Sequence, residues 1–524
     1  MDTVQSTLSL SSLASLSHFG PELILILGVL ALFVADIVVK HREHRGSILA
    51  SLAFATLVAA AFATWLVGAQ PPALLFDGLI VHDALGIYFK WLFLAATALA
   101  IWIAVPSKEI APARQGEYFA LLLAMCVGLN LMASSVDLLM VYLSLEMVSL
   151  ISYILAGYRR ADRRAAEASL KYVIYGGVAS GVMLFGISYL YGLTGTTDLN
   201  SLARALQGLS LNGRLPVVRL GGQLSLLVAM VFVLSGIGYK VASVPWHMWC
   251  PDVYEGAPTP FTAFLSVAPK AAGFAMALRL FFGGMAHSTA GEADVLAQAA
   301  AGIPWPAVLG AVAAVTMTLG NLAALNQNNL KRLLAYSSIA HAGYVMMGVA
   351  VASTRGNVSV LMYLTFYLLM NVGAFLVVEM IARSTSSESI FEYRGLAKRA
   401  PFAAVAFAIL LFSLTGLPPL AGFIGKFYLF YAVVEKATAS APADASGWWA
   451  LAVIGALNSA VSLFYYARVI KAMFLEKGKD ETALEFPGAY SWLLAGLTGL
   501  VMLFGVYWAP VSDAATNAVR AIAG

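Results

Sequence analysis

The chain has 524 residues, 60% hydrophobic and 11% charged, with a formal charge of +4 and a mean hydropathy of +0.83. A soluble domain is excluded, because the apolar residues arrive in runs of about 20, the length that crosses a hydrocarbon core as helix. The two cysteines, Cys126 and Cys250, form no CxxC pair, metal-ligand set or disulfide framework, and the small excess charge lies in short loops where it makes no nucleic-acid surface.

In chain order, the apolar runs predict an all-α polytopic membrane protein of about 14 transmembrane helices. The first, at 19–40, is too long for a signal-peptide core and lacks a cleavage site, so it reads as a retained span. Spans at 47–68 and 82–104 follow the basic loop "KHREHR" (residues 40–45). Lys90 stands eight residues into the third, where it either snorkels to the interface or serves a function inside the bundle. Spans 117–134 and 137–157 come next. The second holds Glu146 in "LLMVYLSLEMVSLISYIL", ten residues deep. After "RRADRR" (159–164), span 167–193 opens with Lys171, followed by the small-residue run "YVIYGGVASG". The interruption at 194–221 contains "LNSLARALQGL", an amphipathic piece expected to lie on the membrane surface. Span 222–243 carries Lys240 and then breaks at Pro245, with His247 just beyond, and span 258–283 carries Lys270. Span 304–325 precedes "KR" (331–332). Span 331–352 holds His341 in "LLAYSSIAHAGYVMMG", and span 356–382 ends near Glu379. Beyond "RGLAKR" (394–399), span 402–435 is broken by Pro418 and Pro419 beside Lys426. Spans 447–470 and 489–511 complete the set.

Of the 31 Lys and Arg, about 19 fall in loops of one side and about 7 on the other. The basic side is therefore expected to be cytoplasmic, with both termini outward. Five lysines remain inside spans: 90, 171, 240, 270 and 426. A charge at bilayer depth costs about 2.5–3.5 kcal/mol unpaired, so these must face protein or water. Glu146 is their clearest acidic counterpart, while Asp36 and Glu379 near span ends read as structural. The broken spans are the seventh and twelfth. An offset of five reverses direction across the membrane, which suggests two inverted five-helix repeats, 117–283 and 304–475, between an N-terminal three-helix segment (1–116) and a last helix (489–511). The lysine precedes the break in one and follows it in the other.

Proton transfer is the chemistry these residues suit. Burial disfavours the charged form of a lysine and a nearby carboxylate restores it, so a Glu–Lys pair that opens and closes toggles the amine. His247 and His341 can take part near neutral pH, and helix breaks free carbonyls and amides that can hold water. No nucleotide-binding glycine motif and no cysteine set for an iron–sulfur cluster occurs, so no redox centre or other cofactor is expected in this chain.

Three stretches carry a resemblance: "KVASVPWHMWCPDVYEGAPTPFTAFLSVAPKAAG", "NQNNLKRLLAYSSIAHAGYVMMG" and "RGLAKRAPFAAVAFAILLFSLTGLPPLAGFIGKFYLF". Together they resemble the antiporter-like membrane subunits of respiratory complex I, the NADH–quinone oxidoreductase, over residues 20–510. Within that family, "DVYEGAPTP" and Lys270, where the L and M types carry histidine, mark a separate branch, as does a chain that ends soon after its fourteenth span. The resemblance implies a bacterial inner-membrane subunit of a proton-pumping translocase. Glu146 would pair with Lys240, Lys171 would modulate them, Lys270 would be the central relay and Lys426 would lie toward the exit. Flavin and iron–sulfur clusters would sit in partner subunits, quinone would be the substrate of the whole complex, and an M-type subunit and small membrane subunits would be neighbours. The rival within the same likeness is a subunit of a cation/proton antiporter or membrane-bound hydrogenase.

Overall fold

The computed structural model describes residues 8–40, 44–211, 221–283, 305–478 and 482–523. The middle of "KHREHR", the end of the interruption at 194–221 and residue 304 lie outside them. The helices that cross the bundle are α1 (Gly20–Val38), α2 (Arg45–Val67), α3 (Ala84–Ala104), α4 (Gln115–Ser134), α5 (Leu138–Ala156), α6 (Arg163–Thr194) and α7 (Gly221–Val241). Three pieces, α8 (Trp249–Gly256), α9 (Thr259–Leu265) and α10 (Ala268–Leu278), then lead to α11 (Trp305–Ala324), α12 (Leu330–Ala350) and α13 (Thr354–Thr385). The remainder are α14 (Pro401–Thr415), α15 (Ala421–Ala439), α16 (Pro442–Leu475), α17 (Gly488–Val506) and α18 (Ala509–Ala523).

Twelve helical stretches among the described residues are long and apolar enough to cross a membrane, and two shorter apolar helices, Ser225–Val241 and Pro401–Thr415, lie at the two breaks. The chain is thus a polytopic all-helical membrane protein, with interruptions where proline removes a backbone donor. Short polar caps start the spans. Asp83, Asp137, Asp162, Asn329 and Ser353 each accept from amides of the first turn that follows them.

The sequence missed two features. A small sheet, β1 (Leu8–Ser9), β2 (Ala73–Leu75) and β3 (Ile80–His82), caps the face where the chain enters its first span. β2 is parallel to β1 and antiparallel to β3. Its hairpin turns through Phe76, Asp77 and Gly78, all at positive φ, a conformation Gly78 adopts without strain. Beyond the last span, α18 packs on α3 and α13.

Helices α12 and α13 are buried along nearly their whole length, whereas α1 and α2 present Leu27, Ile37 and Phe62 outward. Apolar burial gives no drive between helices in lipid, so close approach depends on small residues. At the α11–α12 contact a Cβ on Gly320 would stand 2.6 Å from the Ala340 amide, and one on Gly343 2.7 Å from that of Met317. The backbones touch there.

The loops after α3, α5, α11 and α13 surround a cleft of about 1190 Å³ whose walls include Lys108, Arg114, Arg159, Arg164 and Arg383. This is the basic face. The amphipathic piece expected in the 194–221 interruption is a helix, Leu199–Leu211, that buries Leu202 and Leu206. Asp36 pairs with Arg45 at 2.7 Å, which agrees with its structural reading. One lysine departs from expectation and another is decided between two readings. Lys331 is no loop charge but fully buried, donating to the Ala257 carbonyl at 2.6 Å and pairing with Glu388 at 3.3 Å. Lys90 does not snorkel. It is 6% exposed and pairs with Glu22 of α1 at 3.0 Å.

Candidate functional site

Helix α7 ends one residue after Lys240, where Pro245 denies the helix a donor. The backbone groups freed there find partners within the protein. Gly238 O accepts from Ser243 N at 2.8 Å, Tyr239 O from the Trp249 indole at 3.1 Å, and Val244 N donates to the Thr316 hydroxyl of α11 at 3.1 Å. Lys240 is buried, and its Nζ donates to Ser149 Oγ of α5 at 3.0 Å. Glu146 stands one turn before Ser149 on that helix. It acts on Lys240 through space, yet the two form no ion pair, and Glu146 Oε1 is buried without a hydrogen-bond partner among the described residues. The oxygen that takes the ammonium is that of Ser149, and Glu146 meets Lys240 through charge alone.

Lys270, in the first turn of α10, donates to Ser338 Oγ at 2.6 Å and to Ser338 O at 3.1 Å, with its ammonium 5.8 Å from the Tyr254 ring centre. At that range the ring's negative face still attracts a cation. Gly273, one turn further along α10, faces the Lys240 stem: a Cβ there would lie 3.4 Å from Lys240 Cγ. The helix that carries Lys270 thus packs on the Lys240 stem.

One turn past Ser338 on α12, His341 is buried among the rings of Tyr344, Tyr363 and Tyr367. Its Nδ1 hydrogen-bonds Tyr363 OH in close contact, and its Nε2 lies 3.4 Å from Tyr466 OH, which bonds Ser337. Both Lys270 and Lys426 lie within electrostatic reach of this ring. Lys426 follows the second break. Its Nζ donates to the Thr415 carbonyl that ends α14, at 2.8 Å, and to Ser459 Oγ at 3.2 Å. Gly416, at φ +93°, leaves room for it, since a Cβ there would stand 2.8 Å from Lys426 Cδ. From Ser459 the polar contacts continue through Tyr344 and Asn321 to Tyr465, whose ring lies 4.4 Å from that of Tyr466.

The structure thus buries Lys240, Lys270, His341 and Lys426 on neighbouring elements: the Lys240 stem faces the helix that carries Lys270, and Lys270 and Lys426 both act on the His341 ring through space. Lys171 stands apart. Its side chain is 38% exposed and pairs with Glu167 at 2.8 Å and Asp252 at 2.6 Å, while Asp252 also holds Arg332 of α12 at 2.6 Å. His247 lies in the first break, buried, with Nδ1 unpartnered among the described residues. Sequence reasoning missed the oxygen partners Ser149, Ser338 and Ser459. Ser149 was within reach, three residues after Glu146 and so on its face of the helix. The other two belong to helices that only the fold brings near. Chemically, a hydroxyl both donates and accepts, so each of these serines can hold an ammonium or a neutral amine and pass a proton between them.

The family model described as NADH:quinone oxidoreductase/Mrp antiporter, TM, matches residues 135–441. A protein of Anaeromyxobacter sp. (strain Fw109-5) named NADH-quinone oxidoreductase subunit N is 57% identical over 505 residues, 95% of this chain and 96% of that one. Among solved structures, a chain of respiratory complex I from Thermus thermophilus with bound aureothin is 29% identical, with a TM-score of 0.72 over 94% of this chain and 98% of its own. A chain of the membrane-bound sulfane sulfur reductase, an archaeal respiratory membrane complex, has a TM-score of 0.81 over 97% of this chain and 98% of its own at 22% identity, a likeness of fold alone.

Proposed function

This chain belongs to the NADH:quinone oxidoreductase/Mrp antiporter family, in the subunit N branch of NADH-quinone oxidoreductase, and on that premise we propose that it carries protons across the membrane through its buried lysines. One observation supports this reading most. Lys240, Lys270 and Lys426 are all buried, and their hydrogen-bond partners are neutral oxygens. A carboxylate beside each amine would favour its charged form, whereas neutral partners accommodate both protonation states.

In this reading Lys240 receives a proton while Glu146 favours its charged state through space. Lys270 passes the proton along Ser338 toward His341, and Lys426 delivers it, with Lys171 tuning the entry from the basic face. His247 serves at most as a minor donor beside the first break. The basic face is cytoplasmic, because Lys and Arg are retained on that side, and the membrane is the bacterial inner membrane with both termini outward. The units 117–283 and 304–475 act as inverted repeats flanked by 1–116 and 489–511. Electron transfer from NADH to quinone, with its flavin and iron–sulfur clusters, takes place in partner subunits. This chain, beside an M-type subunit and small membrane subunits, responds to it as part of a proton-pumping translocase.

Lys240→Arg tests the reading. Arginine keeps the charge and cannot practically release its proton. The assembled complex carrying it is expected to oxidise NADH with artificial acceptors normally and to lose most proton translocation in reconstituted vesicles. Pumping at the wild-type ratio would make Lys240 a packing residue.

A further inference from the structure

Away from the central lysines, the face where the chain enters its first span buries a second set of ionisable groups. Glu22, in the first turn of α1, is 1% exposed; its Oε1 holds Lys90 Nζ of α3, and its Oε2 is buried without a hydrogen-bond partner among the described residues. His82 ends β3 just before α3, 4% exposed, and its Nδ1 is unpartnered in the same way. The His18 ring, less buried and nearer the surface, stands edge-on to it with centroids 5.0 Å apart, and His18 Nε2 is also unpartnered. On α4, Cys126 lies within electrostatic reach of Glu22. Asn130, one turn nearer this face on the same side of the helix, leaves both amide atoms without partners. Buried polar atoms are rarely left unbonded, so unpartnered ones on two helices, a strand end and a loop mark a place where water belongs.

The charges around His82 couple it to the pair. Its imidazole is pushed down to about 4, by burial first and then by the Lys90 ammonium, with His18 adding to the effect and Asp83 opposing it. His18 is likewise lowered, by burial and then by Lys90. A proton leaving Lys90 therefore removes the largest contribution, after burial, to keeping His82 neutral, and the imidazole becomes a better acceptor as the amine gives way. Asp83 is itself held by Arg279, at 2.7 and 2.9 Å, in the turn that ends the helix carrying Lys270.

We propose that Glu22, Lys90 and His82 form a second proton-exchange site, separate from the central lysines, that trades protons with water at this face through His18. The proton moves from Lys90 Nζ to Glu22 Oε1, leaving a neutral amine and a neutral carboxyl. It then passes through water from the carboxyl to His82 Nδ1, restoring the carboxylate, and leaves by way of His18 to bulk water. The pair, one proton short, takes up the next at Lys90 from water in the bundle interior, so that each cycle passes one proton outward to this face. This rests on the reading of the chain as a proton carrier.

The test uses the whole reconstituted complex with Glu22→Gln and Lys90→Met together, with His82→Gln, and with Lys240→Arg as reference. Replacing both members of a buried ion pair by neutral groups of similar shape commonly spares stability, so the double variant is expected to assemble and oxidise NADH. Protons pumped per NADH should fall by roughly tenfold in the double variant and less in His82→Gln, since water can partly replace one positioned group. Infrared difference spectra during turnover should also show a protonated-carboxyl signal that disappears in Glu22→Gln. Wild-type pumping by the double variant, with no carboxyl signal lost, would overturn the site and leave the pair as a tie between α1 and α3. Should the double variant fail to assemble, the pumping ratio of His82→Gln decides in the same way. Full pumping by Lys240→Arg would instead strike the central relay, a failure distinct from that of the second site.

Discussion

The two broken spans place their lysines on opposite sides of the break, and the bonding differs accordingly. Lys240 precedes its break and turns away from it, to Ser149 on another helix, while Ser243 and Trp249 take up the carbonyls that the break frees. Lys426 follows its break and turns back to hold the freed Thr415 carbonyl. The first lysine is a guest at a break that is complete without it; the second is part of the break. Similar sequence signals, lysine beside proline in an apolar span, thus serve the backbone differently.

Neutral substitution should expose that difference most strongly. Lys240→Met and Lys426→Met are both expected to abolish most pumping, but only the second leaves a break carbonyl unpaired in the bundle. An unsatisfied buried acceptor costs about 1–3 kcal/mol. Lys426→Met should therefore be the less stable by that amount, read as faster proteolysis of this chain in the assembled complex. Equal stability would erase the distinction.

The glycines beside the two lysines sharpen it. Gly416→Ala forces a side chain into a left-handed conformation, at about 1–3 kcal/mol, and drives a Cβ against Lys426. Pumping should fall by roughly tenfold, since misplacing a reacting group is expensive in rate. Gly273→Ala sits in ordinary helix, where alanine is favoured by up to about 1 kcal/mol, and meets Val241 Cγ1 at 2.8 Å as well as the Lys240 stem. A loss of about twofold or less is expected, measured as the initial rate of vesicle acidification.

Smaller effects follow from the serines. Ser149 is the hydrogen-bond partner of Lys240, whereas Ser459 shares Lys426 with a carbonyl. Ser149→Ala should slow pumping more than Ser459→Ala, by about twofold or less, since water can stand in for one lost hydroxyl. The smallest change belongs to Asp252→Asn, which loosens Lys171 and Arg332 at a partly exposed site. Exposed ion pairs contribute about 0–1 kcal/mol and are screened by salt, so its effect should fade as ionic strength rises.

Much of this architecture is legible in the sequence, because a membrane imposes span length and proline announces the breaks. The positions of Lys240, Lys270 and Lys426 follow from counting along apolar runs. Partners do not. Lys90 is left between snorkelling and an interior role until Glu22, in the first turn of another span, is folded against it. Lys331 sits in a basic dipeptide typical of a loop, and only the approach of Ala257 and Glu388 explains its burial. Glu146 and Lys240 lie on neighbouring elements as expected, yet which oxygen receives the ammonium depends on one turn of helix rotation, which charge alone does not set.

The bond from the Val244 amide to Thr316 joins residues 72 positions apart, on either side of the boundary between the first and second halves. A membrane chain is inserted from its amino end, so the first break emerges while its amide has no hydroxyl to meet. A nascent chain stopped before residue 305 would therefore lack the hydroxyl that the Val244 amide meets in the finished fold.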